Sequence, residues 1–374
     1  MKRVLTLLCI VFLTQECYNQ EKITIVPIKK ENEIYGGFLY GFKDKNTGEQ
    51  VVNYKYKKIS EYGFKEGMLA VMNDDDNWGF INEKGKEVIS PQYKKDSKFL
   101  NGLAYVIKDF DQGMGAINKT GQTIIPFKYF YISYFTKDKQ LTSARDFNTK
   151  KWGFINKHGD EVISFKYEER TYFSNKIAKV KLNDKYGFIN LQNQIVIPIK
   201  YDEIESFYDN SITKAKLNDK WGYINRFGDE VISIKYDGLG TTFYNGLLAV
   251  KLNDKWGYVN NKGKVIIQIK YEEAKGFDKI GLAPVKSKGK WAVINKKNVL
   301  LTPFKYDRIS SYRANRAAVK LNGKWGYINQ FGKVAIPIKY DYAEMFYPGG
   351  VAVVTLNGKR IYINAKGQQI KKPY

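Results

Sequence analysis

The chain is nearly free of cysteine and histidine. Cys9 and Cys17 both fall within the first 20 of its 374 residues, and no thiol follows. The remainder can form no disulfide, thiolate nucleophile, zinc ribbon or iron–sulfur site, so its core must hold by burial alone. One histidine, His158, is present. Multi-histidine metal sites are thereby excluded, and a histidine triad is disfavoured because His158 falls in a turn where it reads as a solvated residue rather than a base. No serine stands in a nucleophile elbow, and no glycine-rich phosphate loop leads into a helix.

Long apolar runs are also missing beyond the N-terminus, so no later stretch can cross a bilayer as a helix. The first residues are different. Lys2 and Arg3 precede an apolar run from Val4 to Leu13, after which Thr14-Gln15-Glu16 turns polar. That layout predicts a signal peptide over 1–20, cut between Thr14 and Gln20, and an exported chain that is periplasmic, on the cell surface or secreted. Thr14-Gln15-Glu16 is a poor lipobox, which argues against lipidation of Cys17.

What the sequence has in abundance is aromatic residues (15%) and positive charge (+24). Tyr, Ile and Val favour strands. The basic balance attracts polyanions and also keeps an aromatic-rich surface soluble.

Self-similarity organises the rest. A glycine recurs at Gly41, Gly79, Gly115, Gly153, Gly187, Gly222, Gly257 and Gly326, with Ala292 and Ile361 in two further places. These ten anchors are 34 to 38 residues apart and define ten repeats from about residue 22 to the end. All six tryptophans (Trp78, Trp152, Trp221, Trp256, Trp291, Trp325) immediately precede an anchor. Ile or Val stands two after it and Asn three after it in nine repeats. Tyr stands fourteen after it from Tyr93 to Tyr340; in the first repeat Tyr56 and the turn glycine Gly48 are both one residue late, as a single insertion requires.

The phrase Trp-Gly-Phe/Tyr-Ile-Asn and the Lys-Tyr-Asp tail resemble the WG (or KWG) repeat of bacterial proteins, over nearly the whole chain beyond the leader. The resemblance implies a β-strand array in an exported or envelope-associated protein, and it brings no catalytic motif.

Each repeat reads as three short strands. In the seventh these are Leu247 to Leu252, Lys255 to Asn260 and Lys264 to Ile269. Asn253-Asp254, which becomes Asn322-Gly323 and Asn357-Gly358 later, predicts a two-residue type I′ hairpin. Six after the anchor comes Gly, or Asn193 and Asn298, predicting one left-handed residue in the second turn. The anchor itself is replaced by Ala and Ile, so it is expected to serve close packing, leaving room for an indole or a strand. Bulky groups on both faces of the middle strand predict burial between two neighbouring sheets. The stretch after Tyr can add a short fourth strand. The expected fold is all-β: a single array over 21–374 of about ten small antiparallel sheets of three or four strands, as a propeller-like ring or an open superhelix. Lys43-Asp44 in the first repeat and Arg360-Ile361 in the last are expected as polar caps.

Candidate chemistry is sparse. Asp160-Glu161 and Asp229-Glu230 sit in matching turns, with neighbouring side chains on opposite faces, and Asp74-Asp75-Asp76 forms a hairpin tip without spaced metal ligands. A lysine precedes the column tyrosine at 55, 128, 166, 200, 235, 270, 305 and 339. The acids two residues later (Glu168, Asp202, Asp237, Glu272, Asp307, Asp341) are expected to neutralise this row. Aromatic residues outside the repeat columns are the better ligand candidates: Phe130, Tyr131, Tyr134, Phe135, Phe243, Tyr244 and Tyr347. The most irregular loop is 136–150. The function expected is a non-enzymatic binding or scaffold surface for an envelope protein, a cell-wall glycan or an acidic polysaccharide, without cofactor, metal or catalytic residues. The other readings are a carbohydrate-active enzyme working through carboxylates and a structural spacer.

Overall fold

The computed structural model describes residues 25–32, 36–136, 140–207 and 212–372. The leader, with Cys9 and Cys17, lies outside these residues. Every regular element among the described residues is a β-strand. The chain divides into two compact units, Met1–Arg170 and Thr171–Tyr374, and the boundary falls between two repeats.

In the second unit most sheets have one form. A two-residue leading strand comes first, then the three strands of the repeat, all antiparallel and in chain order. The sheet Gly238–Leu239, Leu247–Leu252, Lys255–Asn260 and Val265–Tyr271 is typical. The expected fourth strand is therefore present, and it opens the next sheet rather than closing its own. In the first unit, Thr123–Ile132 runs unbroken from the third strand of one repeat into the leading strand of the next. It fuses two repeats into a seven-stranded sheet.

Turn chemistry follows the sequence closely. Asn253 (φ 49°) and Asp254 (φ 60°) both lie in the left-handed region, as type I′ requires. At the second turn Gly263 (φ 76°) occupies the same region, and Asn193 and Asn298 adopt it at 61°. The repeat asparagine organises this turn: Asn260 Oδ1 accepts the backbone N–H groups of Lys262 and Lys264 at 3.0 and 2.9 Å. In the first repeat Asp44 does the same for Asn46 and Thr47 at 2.7 and 2.9 Å.

The anchor glycine faces the third strand of its own sheet. Trp256 pairs with Tyr271 and Tyr258 with Ile267, so two residues of the middle strand oppose four of the third. The third strand bulges over Gly257, where a β-carbon would lie 2.7 Å from both the Ile267 carbonyl oxygen and the Ile269 Cα. It is a strand that needs the space, and no indole is among the nearest atoms. The two exceptions behave accordingly. Beside Ala292 the third segment makes only isolated bridges, Ile294 to Leu300 and Trp291 to Tyr306. Beside Ile361 it is cut to Gln369–Ile370.

Cores form between successive sheets. Leu247, Ala249, Tyr258, Ile267 and Tyr271 of one sheet pack on Ala283, Val285 and Ile294 of the next. The aromatic after the anchor thus faces forward and the Ile faces back, as expected for a strand buried on both sides. The column tyrosines are almost wholly buried.

The third strand ends its sheet wherever it forms without fusing to the next repeat. This segment carries a proline in five repeats (Pro91, Pro126, Pro198, Pro303, Pro337) and the exposed lysine before Tyr in most. Proline lacks the N–H that would recruit another strand, and lysine resists burial, so both protect an exposed edge.

Candidate functional site

The acids after the column tyrosine do not neutralise the lysine row. They reach across to the lysine of the KWG phrase and to the hairpin of the next repeat. Asp237 pairs with Lys220, and its other oxygen accepts the Asn253 N–H at 2.7 Å. Asp307 holds Lys290 at 2.6 Å; Asp341 holds Lys324 at 2.7 Å and accepts the Gly358 N–H at 3.1 Å. Each of these three aspartates therefore ties one sheet to the next, and its ionised form is favoured by the lysine first and by backbone donors as well. The row lysines instead lie over their own tyrosine rings, from 5.0 Å for Lys55 to 5.6 Å for Lys339.

His158 is an exposed turn residue whose N–H donates to Asn156 Oδ1 at 2.9 Å. Asp160 and Asp229 accept from the side chains of Asn156 and Asn225 at 2.9 and 3.0 Å. Asp76 pairs with Lys57 at 2.7 Å. These carboxylates are occupied in turns.

The variable aromatics divide into groups. Phe135 is core and Phe243 packs on Tyr223 with ring centres 5.5 Å apart. Tyr134 lies edge-on to Tyr105 at 4.9 Å. Phe130 and Tyr131 join a cationic cluster in the first unit: Lys150 Nζ stands 4.5 Å from the Phe130 ring and 4.1 Å from Phe147, and Arg170 stands 4.9 Å from Tyr131. Tyr244 borders a cleft of about 560 Å³ with Asp278 and Arg313.

Tyr347 lines the site with the richest chemistry, a cleft of about 980 Å³ in the second unit. Three successive leading strands build it: Glu273–Ala274, Arg308–Ile309 and Tyr342–Ala343. Trp291 and Trp325 contribute indoles from the repeat column, and Tyr342 stands edge-on to Trp325 at 6.0 Å. At one register position, four after the column tyrosine, the three repeats present Lys275, Ser310 and Glu344. The cleft's carboxylates are engaged: Glu273 with Lys286 at 2.6 Å, Asp307 with Lys290, and Glu344 with Arg360 at 3.1 Å and the Tyr347 hydroxyl. Ser310 Oγ donates to the Ser311 carbonyl and accepts the Ala318 N–H, both at 2.9 Å.

A further cleft of about 1220 Å³ lies in the first unit beside Tyr40, Trp78 and Asp96. Burial raises the Asp96 carboxyl; Ser60 donates to one oxygen at 2.9 Å, and the other has no partner among the described residues.

The repeat columns do not reveal these clefts because the short fourth strand was expected to close its own sheet, whereas it opens the next one. The signal was present: Asn101-Gly102 and Asn245-Gly246 are hairpin dipeptides, and Asn101, Gly102, Asn245 and Gly246 all have positive φ. They fold each leading strand onto the next repeat.

The WG containing repeat family matches residues 40–75, 78–109, 114–139, 152–186, 186–221, 221–256, 256–291, 292–325 and 325–359. No curated protein matches the chain. Among solved structures, a eukaryotic initiation factor is 10% identical with a TM-score of 0.37, covering 82% of this chain and 95% of its own. The extracellular domain of a one-component system from B. thetaiotaomicron is 10% identical with a TM-score of 0.31, covering 94% of this chain and 58% of its own. Dihydro-heme d1 dehydrogenase NirN is 11% identical with a TM-score of 0.32, covering 84% and 71%. At such scores the fold rests on the chain's own strand pattern. The chain belongs to the WG containing repeat family.

Proposed function

We propose that this WG-repeat chain is an exported, non-catalytic binding protein whose ligand is an envelope glycan, seated in the cleft of repeats eight to ten. The supporting observation is the partly exposed indole of Trp325 in a cleft that also holds the buried Trp291 and whose carboxylates are already committed to cations. An indole face suits the apolar face of a sugar ring, and hydroxyl and charged groups around it fix orientation. A glycosidase needs a free acid and a free base or nucleophile across the scissile bond. Here Glu273, Asp307 and Glu344 hold sheets and loops in place.

Export rests on the leader and accords with the absence, among the described residues, of a helix long and apolar enough to cross a membrane. A glycan array probed with the full chain, followed by product analysis of the bound sugars, tests the reading. Binding without cleavage, weakened by Trp325→Ala, is the expected result. Cleavage of a bound glycan would replace it with the enzymatic reading. Capture of an envelope protein with no glycan bound would replace it with a protein scaffold.

A further inference from the structure

The cleft of repeats eight to ten is lined by more cationic side chains than acidic ones. Its three carboxylates are paired, two of them with Lys290 and Arg360 from its surroundings. Lys275, Arg308 and Arg313 also line it, and among the described residues none of the three is in an ion pair.

Lys275 breaks its repeat column. The equivalent positions hold Ser60, Ser97, Ser133, Thr171, Glu205, Gly240, Ser310 and Glu344. Its ammonium is half-buried, donates to the Ile309 carbonyl at 2.7 Å and stands 5.5 Å from the centre of the Trp291 ring. An ammonium has three donors, and one carbonyl uses one of them. Burial lowers its affinity for a proton, with Glu273 opposing that effect. A cation held in this way, beside an indole and outside any ion pair among the described residues, is an open place for an anion.

We propose that the glycan this cleft takes carries an anionic group, which Lys275 anchors with Arg308 and Arg313 while a neighbouring sugar ring stacks on Trp325. The inference rests on the glycan reading above and adds charge as the determinant of selection. The spacing of cation and indole favours a saccharide, in which an acidic substituent sits beside an apolar ring face.

The test is titration calorimetry of the full chain with five probes: a tetra-galacturonate, its methyl ester, a sulfated oligosaccharide of similar length, inorganic sulfate, and an oligo-dT of similar charge. The carboxylated or the sulfated sugar is expected to bind about tenfold or more tighter than the neutral ester, and to weaken as salt rises. Whichever of the two is preferred identifies the anionic group. Lys275→Met should lose about tenfold for the acidic sugar and leave the ester within about twofold; Lys275→Arg should restore most of the loss. Arg308→Gln and Arg313→Gln alter exposed side chains and carry the test should Lys275→Met misfold. Equal binding of ester and acid would overturn this inference alone. Equal affinity for inorganic sulfate, or for an oligo-dT of similar charge, would overturn it as non-specific. Binding of no sugar at all would overturn the glycan reading with it.

Discussion

The carbonyl oxygen of Ile232 lies 2.5 Å from where a β-carbon on Gly222 would stand, and the Cα of Ile234 lies 2.8 Å from the same point. The repeat's anchor is thus fixed by one backbone crossing another. The crossing lets the third strand bulge, so that Trp221 pairs with Tyr236 and Tyr223 with Ile232. Gly222→Ala should destabilise the chain by about 1–3 kcal/mol, the usual cost of overpacking. Gly358→Asn is the contrast. That glycine has φ 74° with nothing within 4 Å of a β-carbon, and Asn tolerates the region, so the change should stay within about 0.5 kcal/mol. Urea unfolding of the two variants checks both.

Asp237 joins two sheets through separate oxygens, one on Lys220 and one on the Asn253 N–H. Asp237→Asn should keep the backbone contact and lose the ion pair, whereas Asp237→Ala should lose both and be the more destabilising. The lysine and the backbone donor lower its folded pKa. The contribution is therefore complete above the ordinary carboxylate range and is lost as pH falls through the lowered value. The gap between wild type and Asp237→Ala in thermal melts should narrow from pH 6 to pH 3. An unchanged gap would exclude the ionised staple.

The buried tyrosine column predicts an alkaline limit. Burial raises the hydroxyls of Tyr93, Tyr167, Tyr236 and Tyr306, and that of Tyr129 to about 12. Outside the column, Tyr105 is likewise pushed up to about 12. A raised folded pKa means that the neutral form is the one the fold holds. Its stabilisation is complete below the unfolded value near 10 and is lost as pH rises through the folded one. Unfolding should set in between about pH 10 and 12, with tyrosinate absorbance rising in step with loss of the β-sheet signal. Full ionisation by pH 10.5 with the fold intact would contradict the burial.

Much of this fold was legible because each repeat obeys a local rule that ten copies make visible. Asn253-Asp254 and Gly263 specify turns by their φ alone, and Tyr271 and Val259 mark core positions by spacing. The acids after the tyrosine were misread because strand alternation places Asp237 on the face of Lys235, while its partners Lys220 and Asn253 arrive from a neighbouring strand and the next repeat. The cleft was illegible for a related reason. It belongs to three leading strands at once, and its distinguishing residue, Lys275, is visible only once the fourth position after each tyrosine is recognised as a column. Variable aromatics were a fair guide to exposure at Phe130, Tyr244 and Tyr347, and failed at Phe135, which packs with Tyr105, Ile125 and Ala144; the stretch 136–150 expected as the most irregular loop holds the regular strand Leu141–Asp146.

The third strands give a last prediction. Val334–Tyr340 ends its sheet with Pro337 and Lys339 outward, and Lys339 lies 5.6 Å from the Tyr340 ring. If these residues protect an open edge, replacing them should expose one that is otherwise well formed for pairing: Ile336 and Tyr340 are buried, so register is fixed, and the strand is the last of its sheet. Pro337→Val with Lys339→Thr should raise concentration-dependent self-association, read by light scattering, while leaving the melting temperature of the dilute chain nearly unchanged. Lys339→Thr alone should act more weakly, because proline still withholds its donor. The same double change made in a buried middle strand would unfold the chain instead, so association without loss of stability is the signature that distinguishes edge protection from core packing. Scattering equal to that of the unmodified chain at every concentration would show that the lysine row has another purpose.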